Sequence, residues 1–266
     1  MFRIFSVIFA LAAACPVMAE DTSRFYALYG ELLAQYWRPT LSIHGIETTV
    51  FDYDLMKREA VPLMNDIVST LDVFDPSSIG DDDAVKAFWI NVYNFTAMRM
   101  VVEAYPVDSI TSFKISLIKH PWSKKSIGVR GRRYSLSDIE KEILLARFND
   151  PRIVFAVSCA AVSCPDRTPE VFDGTRIDSQ LNDLLTNYFR NSGKGMLLNR
   201  EARTLTLAWI LSKDGHLFQT EEGGVMAFVT PYLHKEEQEW LASHQVTIDY
   251  FEHDWTLNDL AQADGR

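Results

Sequence analysis

The chain has 266 residues, of which 47% are hydrophobic, 12% aromatic and 23% charged, and this balance excludes a disordered protein. It carries 26 Lys and Arg residues against 36 Asp and Glu residues, a formal net charge of -10. Because no block of basic residues is interleaved with aromatic ones, we exclude nucleic acid and anionic membrane surfaces as partners.

The N-terminus has the pattern of an export signal. Arg3 precedes the apolar stretch Ile4–Ala14, and small residues follow up to Ala19. We therefore expect residues 1–19 to be a signal peptide, cleaved after Ala19, and the mature protein to be periplasmic or secreted. The apolar stretch is shorter than the roughly 20 residues that span a bilayer, and no later segment is apolar enough, so we expect no transmembrane segment.

Cys15 raises the question of a lipid anchor, because three alanines precede it as in a lipoprotein signal. However, the first of these, Ala12, stands where such signals usually carry Leu, and Pro16 follows the cysteine. We therefore do not expect a lipid anchor at Cys15.

Apolar residues at helical spacing predict a helix-rich first half. Pro62 should either kink the second predicted helix or mark its true beginning. The acidic run Asp81–Asp83 suits the N-terminus of the third, a central buried helix. The spacing of Ser137 and Glu140 is that of a capping box at the start of the fourth. The five predicted helices are Arg24–Arg38, Asp54–Val73, Ala84–Tyr105, Ser137–Phe148 and Asp178–Arg190.

Strand signals concentrate in the second half. The continuous apolar run Ile153–Val157 is typical of a strand buried on both faces. Leu197–Leu198 and Leu205–Leu207 flank a polar stretch and predict a hairpin, and the weak alternation over Val246–Phe251 predicts a half-exposed last strand. The fold class is therefore α+β, a single domain with a helix-rich N-terminal half and a small sheet in the C-terminal half.

Three segments of this chain resemble the domain of unknown function 547 (DUF547) family, as found in exported bacterial proteins: Ala87–Asn94, Ser135–Glu140 and Asp150–Pro165. The ending His253–Asn258 is similar to that of bacterial members. The resemblance implies a fold and an envelope location and leaves the activity open. Many relatives carry a His where this chain has Val154, which argues against a His-dependent role at that position.

The resemblance, the signal pattern and the helical pattern together divide the chain into four parts. Residues 1–19 are the signal peptide, and residues 20–80 are a helical extension packed on the core. The DUF547-like domain follows over residues 81–258, and residues 259–266 form a C-terminal tail.

Cys159 and Cys164 are the strongest chemical feature of the sequence. In an oxidising compartment such a pair tends to form a disulfide, which here requires the four residues between them to curl into a compact turn. Turns of this kind are also where enzymes place nucleophiles and anion-binding amides. Either cysteine is therefore a candidate nucleophile, although a structural disulfide is favoured over catalysis.

Other candidate site residues are polar groups in apolar surroundings. Asn91 and Asn94 lie on one side of the central helix, where they would fix a neighbouring loop or orient a substrate. Glu140 is a capping partner for Ser137 or an acid/base group. Two further residues are candidates for binding: Arg152, which would pair with Glu140 or Asp150 or hold an anion, and Ser163 in the cysteine turn.

Histidines and short motifs give little further direction. His44, His120, His216, His234, His244 and His253 are scattered along the chain, and any of them could approach a cysteine in the fold. The cysteine pair lacks a second ligand pair at metal spacing, so we expect no metal and no cofactor. The chain lacks the nucleophile elbow, the phosphate-binding loop and the dinucleotide fingerprint, which excludes the standard hydrolase, kinase and dehydrogenase classes.

Two functional hypotheses remain. The first is an exported, soluble envelope protein of uncharacterised function with a structural disulfide Cys159–Cys164. The alternative is a thiol-dependent acyl-transfer or peptidase-like enzyme, in which Cys159 or Cys164 is the nucleophile, a His is the base, and Asn91 or Asn94 orients the substrate.

Overall fold

The computed structural model of the chain describes residues 16–117, 120–219 and 223–265, so most of the expected signal peptide, including Cys15, lies outside the described residues. The fold is α+β, as predicted, and helices dominate its N-terminal half. None of the helices in these ranges combines the length and apolarity that crossing a bilayer requires. The helices are α1 (Pro16–Tyr36), α2 (Tyr53–Glu59), α3 (Val61–Val73), α4 (Asp82–Ala104), a π-helix (Asp138–Leu145), α5 (Ala146–Phe148), α6 (Ile153–Ala156), α7 (Ile177–Phe189), α8 (Trp209–Lys213), α9 (Gly224–Val229) and α10 (Lys235–Ser243).

In the part of the chain that the structure describes, seven short strands form three small sheets, and single 3₁₀ turns connect other elements. The C-terminal sheet has the order β5-β6-β7, in which β5 and β6 form the predicted hairpin and the exposed β7 pairs parallel to β6. The strands are β1 (Trp37–Ile43), β2 (Ile46–Phe51), β3 (Ile127–Val129), β4 (Arg132–Tyr134), β5 (Met196–Asn199), β6 (Thr204–Leu207) and β7 (Thr247–Tyr250). The 3₁₀ turns are Pro76–Ser78, Pro121–Ser123, Gly215–Phe218, Thr230–Tyr232 and Leu260–Gln262.

The first helix ends earlier than predicted, because a hairpin that the sequence analysis missed follows it. Trp37 and Arg38 belong to β1, which pairs antiparallel with β2. The two strands are joined through His44 and Gly45, whose φ angles of 53° and 76° are left-handed. Two consecutive left-handed residues are what a tight two-residue hairpin requires, and Gly adopts this conformation at little cost.

Pro62 marks the beginning of a helix, one of the two predicted alternatives. The predicted segment divides into α2 and α3, with Pro62 in the first turn of α3. The missing N–H of proline costs nothing in a first turn, whose donors have no partner within the helix. A helix boundary at this point is therefore the least costly arrangement.

The central helix α4 is predicted closely. Asp81 caps it by accepting a hydrogen bond from the N–H of Ala84 at 2.9 Å, and Asp82 and Asp83 occupy its first turn. The helix is buried on all sides, and Phe88 and Phe95 have no exposed surface. It is the element against which the two halves of the chain pack.

The predicted capping box at Ser137 is wrong. Ser137 already has helical angles, and its side chain makes no capping bond. Instead the Asp138 carboxylate accepts hydrogen bonds from the backbone N–H and the hydroxyl of Ser135, both at 2.6 Å. The segment then winds as a π-helix, a form that is frequent at functional sites. As a result Glu140 is not used as a cap.

The predicted strand Ile153–Val157 is also wrong, because the segment forms the short helix α6 followed by an extended Val157. Its residues are almost completely buried, and a short apolar run buried on all sides has the same sequence pattern in a helix as in a strand. The turn that precedes α6 is stabilised by the ion pair of Arg152 with Asp150. This turn starts the helix, whose first residue Ile153 donates to the carbonyl of Asp150.

Candidate functional site

The cysteine turn follows α6 directly, and its two sulfur atoms lie at bonding distance. The Cα atoms of Cys159 and Cys164 are 6.4 Å apart, within the range of disulfides. The chain reverses at Ala160, whose φ of 59° is left-handed, and the N–H of Cys164 donates to the carbonyl of Ala161. The predicted Cys159–Cys164 disulfide and the compact turn between the cysteines are therefore confirmed.

Asn94 fastens the start of this turn to the central helix. Its amide nitrogen donates to the carbonyl of Ala156 at 2.9 Å, and its amide oxygen accepts from the N–H of Ser158 at 2.9 Å. Asn91, one helical turn earlier, makes the same two-way bond with the backbone of Phe172. Both amides thus use their polar atoms on loop backbone, and both line a small second cavity beside the turn.

A segment from the C-terminus pairs with the cysteine turn and brings a histidine to it. The N–H of Val162 donates to the carbonyl of Thr256 at 2.8 Å, and the N–H of Asp254 donates to the hydroxyl of Ser163 at 2.8 Å. This pairing places Nε2 of His253 at 3.9 Å from Sγ of Cys159. Of the six scattered histidines, His253 is the one in contact with a cysteine.

Burial of His253 lowers its pKa from 6.5 to about 4. The neighbouring Asp254 carboxylate opposes this shift, and the positive charge of Lys213 adds to it. The imidazole is therefore neutral at pH 7 and has a nitrogen lone pair available. A neutral imidazole beside a sulfur atom can accept a proton, and it can also ligate a metal.

A pocket of about 390 Å³ opens above the disulfide. Cys159 is half-buried at its floor, whereas Cys164 is 6% exposed. The elements that line the pocket come from both halves of the chain, from α4 to the segment after β7. The lining residues are Tyr93, His120, Trp122, Ser123, Ser137, Glu140, Lys141, Val154, Val157, Cys159, Ser163, Cys164, Pro165, Tyr188, Trp209, Ile210, Lys213, His253 and Trp255.

Three tryptophans form an aromatic wall of this pocket. The ring of Trp255 packs edge-on against those of Trp122 and Trp209, with centroids 5.7 Å and 5.8 Å away. The imidazole of His253 lies against the rings of Trp209 and Trp255, at 4.6 Å and 4.1 Å. Aromatic surfaces of this kind bind apolar and planar groups and exclude water from the reacting atoms.

Glu140 reaches the pocket from the π-helix. It is 8% exposed and accepts a hydrogen bond from the hydroxyl of Tyr93 at 3.5 Å, which in turn accepts one from the indole N–H of Trp122 at 3.2 Å. Burial raises the pKa of the Glu140 carboxyl, while the charge of Lys213 opposes this shift. The group is therefore a candidate proton donor on the wall of the pocket.

The remaining predicted residues divide between the pocket and its support. Ser163 lines the pocket, but its hydroxyl is engaged by the backbone of Asp254. Arg152 lies away from the pocket and pairs with Asp150 and Asp178, at 2.8 Å and 2.6 Å, and not with Glu140. Its role in the structure is to hold the turn before α6. Of the other histidines, His120 lines the pocket, whereas His216 is not among its lining residues.

Sequence reasoning missed the aromatic wall and did not single out His253. Trp209 and Lys213 carry no motif, and only the fold brings them to the pocket. The ending His253–Asn258 supports the family resemblance, and it also contains a signal for the site. An ending that combines His, Asp and Trp is a usable marker of a site. The sulfur and imidazole atoms it brings together are also a set that could hold a metal.

Residues 77–189 match the family described as protein of unknown function, DUF547. Comparisons with curated proteins and with solved structures find no match. The matched segment contains Cys159, Cys164 and Glu140 but ends before Trp209 and His253. The pocket is thus completed by residues beyond the segment that the family describes.

Proposed function

We propose that this chain, which matches the DUF547 family over residues 77–189, is an exported, thiol-dependent acyl-transfer enzyme in which Cys159 is the nucleophile. One observation carries this proposal: Sγ of Cys159 lies 3.9 Å from Nε2 of His253 at the floor of an open pocket. A nucleophile and a base within reach of each other are the signature of covalent catalysis, and their separation is often long without substrate.

A dithiol reductant opens the Cys159–Cys164 disulfide and is itself oxidised to a disulfide, which leaves both cysteines as thiols; the Cys159 thiol is the one that the reaction needs. His253 then takes the proton from that thiol while the sulfur attacks the acyl carbonyl of a substrate in the pocket. The carbon–sulfur bond forms, the bond to the leaving group breaks, and the imidazolium returns the proton to the leaving group. Water or another acceptor then releases the acyl group from Cys159.

The turn also offers a backbone donor at the reacting sulfur. The N–H of Cys159 donates to Sγ of Cys164 at 3.3 Å in the disulfide. When the disulfide opens and Cys164 no longer accepts this bond, we expect the N–H to donate to the developing oxyanion, where such a donor is worth about 3–4 kcal/mol of barrier. In the oxidised protein Cys164 therefore blocks both the sulfur and the N–H of Cys159, and reduction releases them.

A structural disulfide without catalysis is the second candidate function. The clamping of the turn by Asn94 and by the C-terminal segment favours it, because both make the turn rigid. Under this hypothesis the two cysteines are equivalent, and replacing either has the same effect. Single substitutions of Cys159 and of Cys164 therefore distinguish the two hypotheses.

The test is hydrolysis of a small aryl thioester by the full chain carrying Cys15→Ser, which leaves Cys159 and Cys164 as its cysteines. We expect turnover by this protein only with a phosphine reductant, turnover by the further variant Cys164→Ser without any reductant, and none by Cys159→Ser. His253→Ala should lower the rate by about 100-fold or more, the contribution of a general base. The matched control His216→Ala, at an exposed residue outside the pocket, should not. Equal rates in the two cysteine variants would contradict the proposal.

Export is supported by the sequence pattern of residues 1–19 and by the disulfide, which persists in oxidising compartments. We expect the protein recovered from the envelope or medium to begin at Glu20, which intact-mass measurement reads directly. A chain that keeps its first 19 residues, or one acylated at Cys15, would contradict this part of the proposal.

A further inference from the structure

The cysteine turn and the C-terminal segment together bring three metal ligands to one point. The sulfur atoms of Cys159 and Cys164 and a ring nitrogen of His253 all lie within 4.8 Å of one another. The sequence spacing of the cysteines did not indicate a metal site, because the third ligand is 94 residues away from Cys159. We propose that the dithiol form of this protein binds one Zn²⁺ through Cys159, Cys164 and His253.

The geometry suits a tetrahedral ion once the disulfide is open. With Zn–S distances of about 2.3 Å and Zn–N distances of about 2.0–2.1 Å, neighbouring ligand atoms in a tetrahedron lie about 3.5–3.8 Å apart. Cys159 Sγ and His253 Nε2 are 3.9 Å apart already. The two sulfurs need only rotate out of bonding distance, and the backbone of the turn can remain in place.

The chemistry of the ligands selects the ion. Two thiolates and one imidazole are soft and borderline ligands, which zinc prefers and which calcium and magnesium do not. Three protein ligands leave the fourth position to water. That position faces the pocket, since Cys159, Cys164 and His253 all line it. Open zinc sites of this Cys₂His type bind and polarise an oxygen ligand.

Formation of the site is a balanced redox and proton exchange. A dithiol reductant is oxidised to its disulfide as Cys159 and Cys164 are reduced to thiols. Zn²⁺ then displaces one proton from each thiol, so that two protons are released per ion bound. Binding does not require that Cys159 acts as a nucleophile, and it would withdraw that sulfur from catalysis.

The experiment uses the full chain carrying Cys15→Ser, reduced and freed of reductant, and titrated with Zn²⁺ against a chromogenic chelator. We expect one ion per chain in the reduced protein and none in the oxidised protein. Cys159→Ser, Cys164→Ser and His253→Ala should each weaken binding by about 100-fold or more, beyond the 10–100-fold lost with an outer-shell partner. The control His216→Ala should bind as the parent does. Co²⁺ in place of Zn²⁺ should give thiolate charge-transfer absorption.

Three results would overturn the zinc site: no binding by the reduced protein, binding that survives His253→Ala, or binding of Cu⁺ but not of Zn²⁺. Circular dichroism of each variant shows whether it has folded, so that lost binding is not confused with lost structure. Because the readout is metal binding, failure of the zinc site leaves the thioester experiment unaffected, and the reverse also holds.

Discussion

At the scale of single residues, the site depends on two side chains, His253 and Glu140. Burial lowers the pKa of the first and raises the pKa of the second. Burial disfavours the charged form of any group, so it lowers the pKa of His253 to about 4 and raises that of Glu140. At pH 7 the pocket therefore holds a neutral imidazole and a carboxyl that keeps its proton more readily than usual. Groups of this kind concentrate at functional sites.

The imidazole of His253 should titrate at about pH 4 in the oxidised protein, because burial and the charge of Lys213 disfavour its protonation. NMR titration of the imidazole signals measures this value, and the spectrum of His253→Gln identifies the signal that belongs to this residue. A midpoint near the ordinary value of about 6.5 would mean that the ring is solvated and that the pocket is not as the structure has it.

Glu140 should make the protein less stable as the pH rises. Its folded-state pKa is raised, so its protonated form stabilises the fold below the unfolded value of about 4.5, and that contribution is lost as the pH rises through the folded value. We therefore expect the melting temperature of Glu140→Gln to exceed that of the parent by a margin that grows from pH 4 to pH 7. The same substitution at the exposed neighbour, Glu142→Gln, is the matched control. A difference in melting temperature that does not change with pH would mean that the Glu140 carboxyl is solvated in the folded protein.

At the scale of elements, the cysteine turn is held from two sides. Asn94 of α4 bonds the backbone at its start, and the segment after β7 bonds its middle. Buried Lys194 bonds the carbonyl of Val162 and the carboxylate of Asp166 at its end. Such support fixes the position of Cys159, as the proposed reaction requires.

Asn94→Ala should destabilise the protein by about 2–6 kcal/mol, because it leaves the buried carbonyl of Ala156 and the buried N–H of Ser158 without partners, at about 1–3 kcal/mol each. Urea unfolding measures the loss. The exposed Asn65→Ala in α3 is the control and should change stability by less than about 0.5 kcal/mol. A cost for Asn94→Ala as small as that of the control would mean that the turn does not depend on α4.

The elements also show which parts of the fold the sequence could predict. α4 follows from a long apolar pattern that begins at an acidic run, and α7 follows from an apolar pattern alone. The β5–β6 hairpin follows from two short apolar runs around a polar stretch. The run Ile153–Val157 could not be assigned, since burial on all sides removes the periodicity that separates helix from strand.

The site was predictable only in part, because local sequence patterns do not encode contacts between distant segments. A disulfide across five residues is a local property, so the Cys159–Cys164 pair could be predicted from spacing and compartment. The contact of Cys159 with His253 depends on the C-terminal segment returning to the turn, which local patterns do not encode. Long-range pairing also decides the aromatic wall. The expected capping role of Glu140, in contrast, was lost to a local alternative, the hydrogen bonds of Asp138 with Ser135.

At the scale of the whole molecule, the pocket lies between the two main parts of the hydrophobic core. The larger part surrounds α4, and the smaller one surrounds Phe155, α7 and the C-terminal sheet. Cys159 stands where they meet, and each part contributes to the lining, Tyr93 from the first and Tyr188 from the second. The site therefore exists only when both parts are assembled.

The reduced protein should remain folded. In the chain-entropy description a loop of six residues closed by a disulfide contributes about 2 kcal/mol, which is less than the about 5–15 kcal/mol by which folded domains are stable. Urea unfolding with and without a phosphine reductant should therefore show two cooperative transitions that differ by about this amount. Collapse of the fold on reduction would make the disulfide a structural requirement and would exclude a thiol enzyme.

The most direct test of the central claim is the mass of the acylated protein. The full chain carrying Cys15→Ser and Cys164→Ser is mixed, without reductant, with an aryl thioester of a slowly released acyl group, and the intact mass and the modified peptide are determined. We predict one acyl group per chain, attached to Cys159, and its loss when His253→Ala is added. Absence of an adduct from the folded protein, or an adduct spread over other residues, would contradict the assignment of Cys159 as the nucleophile.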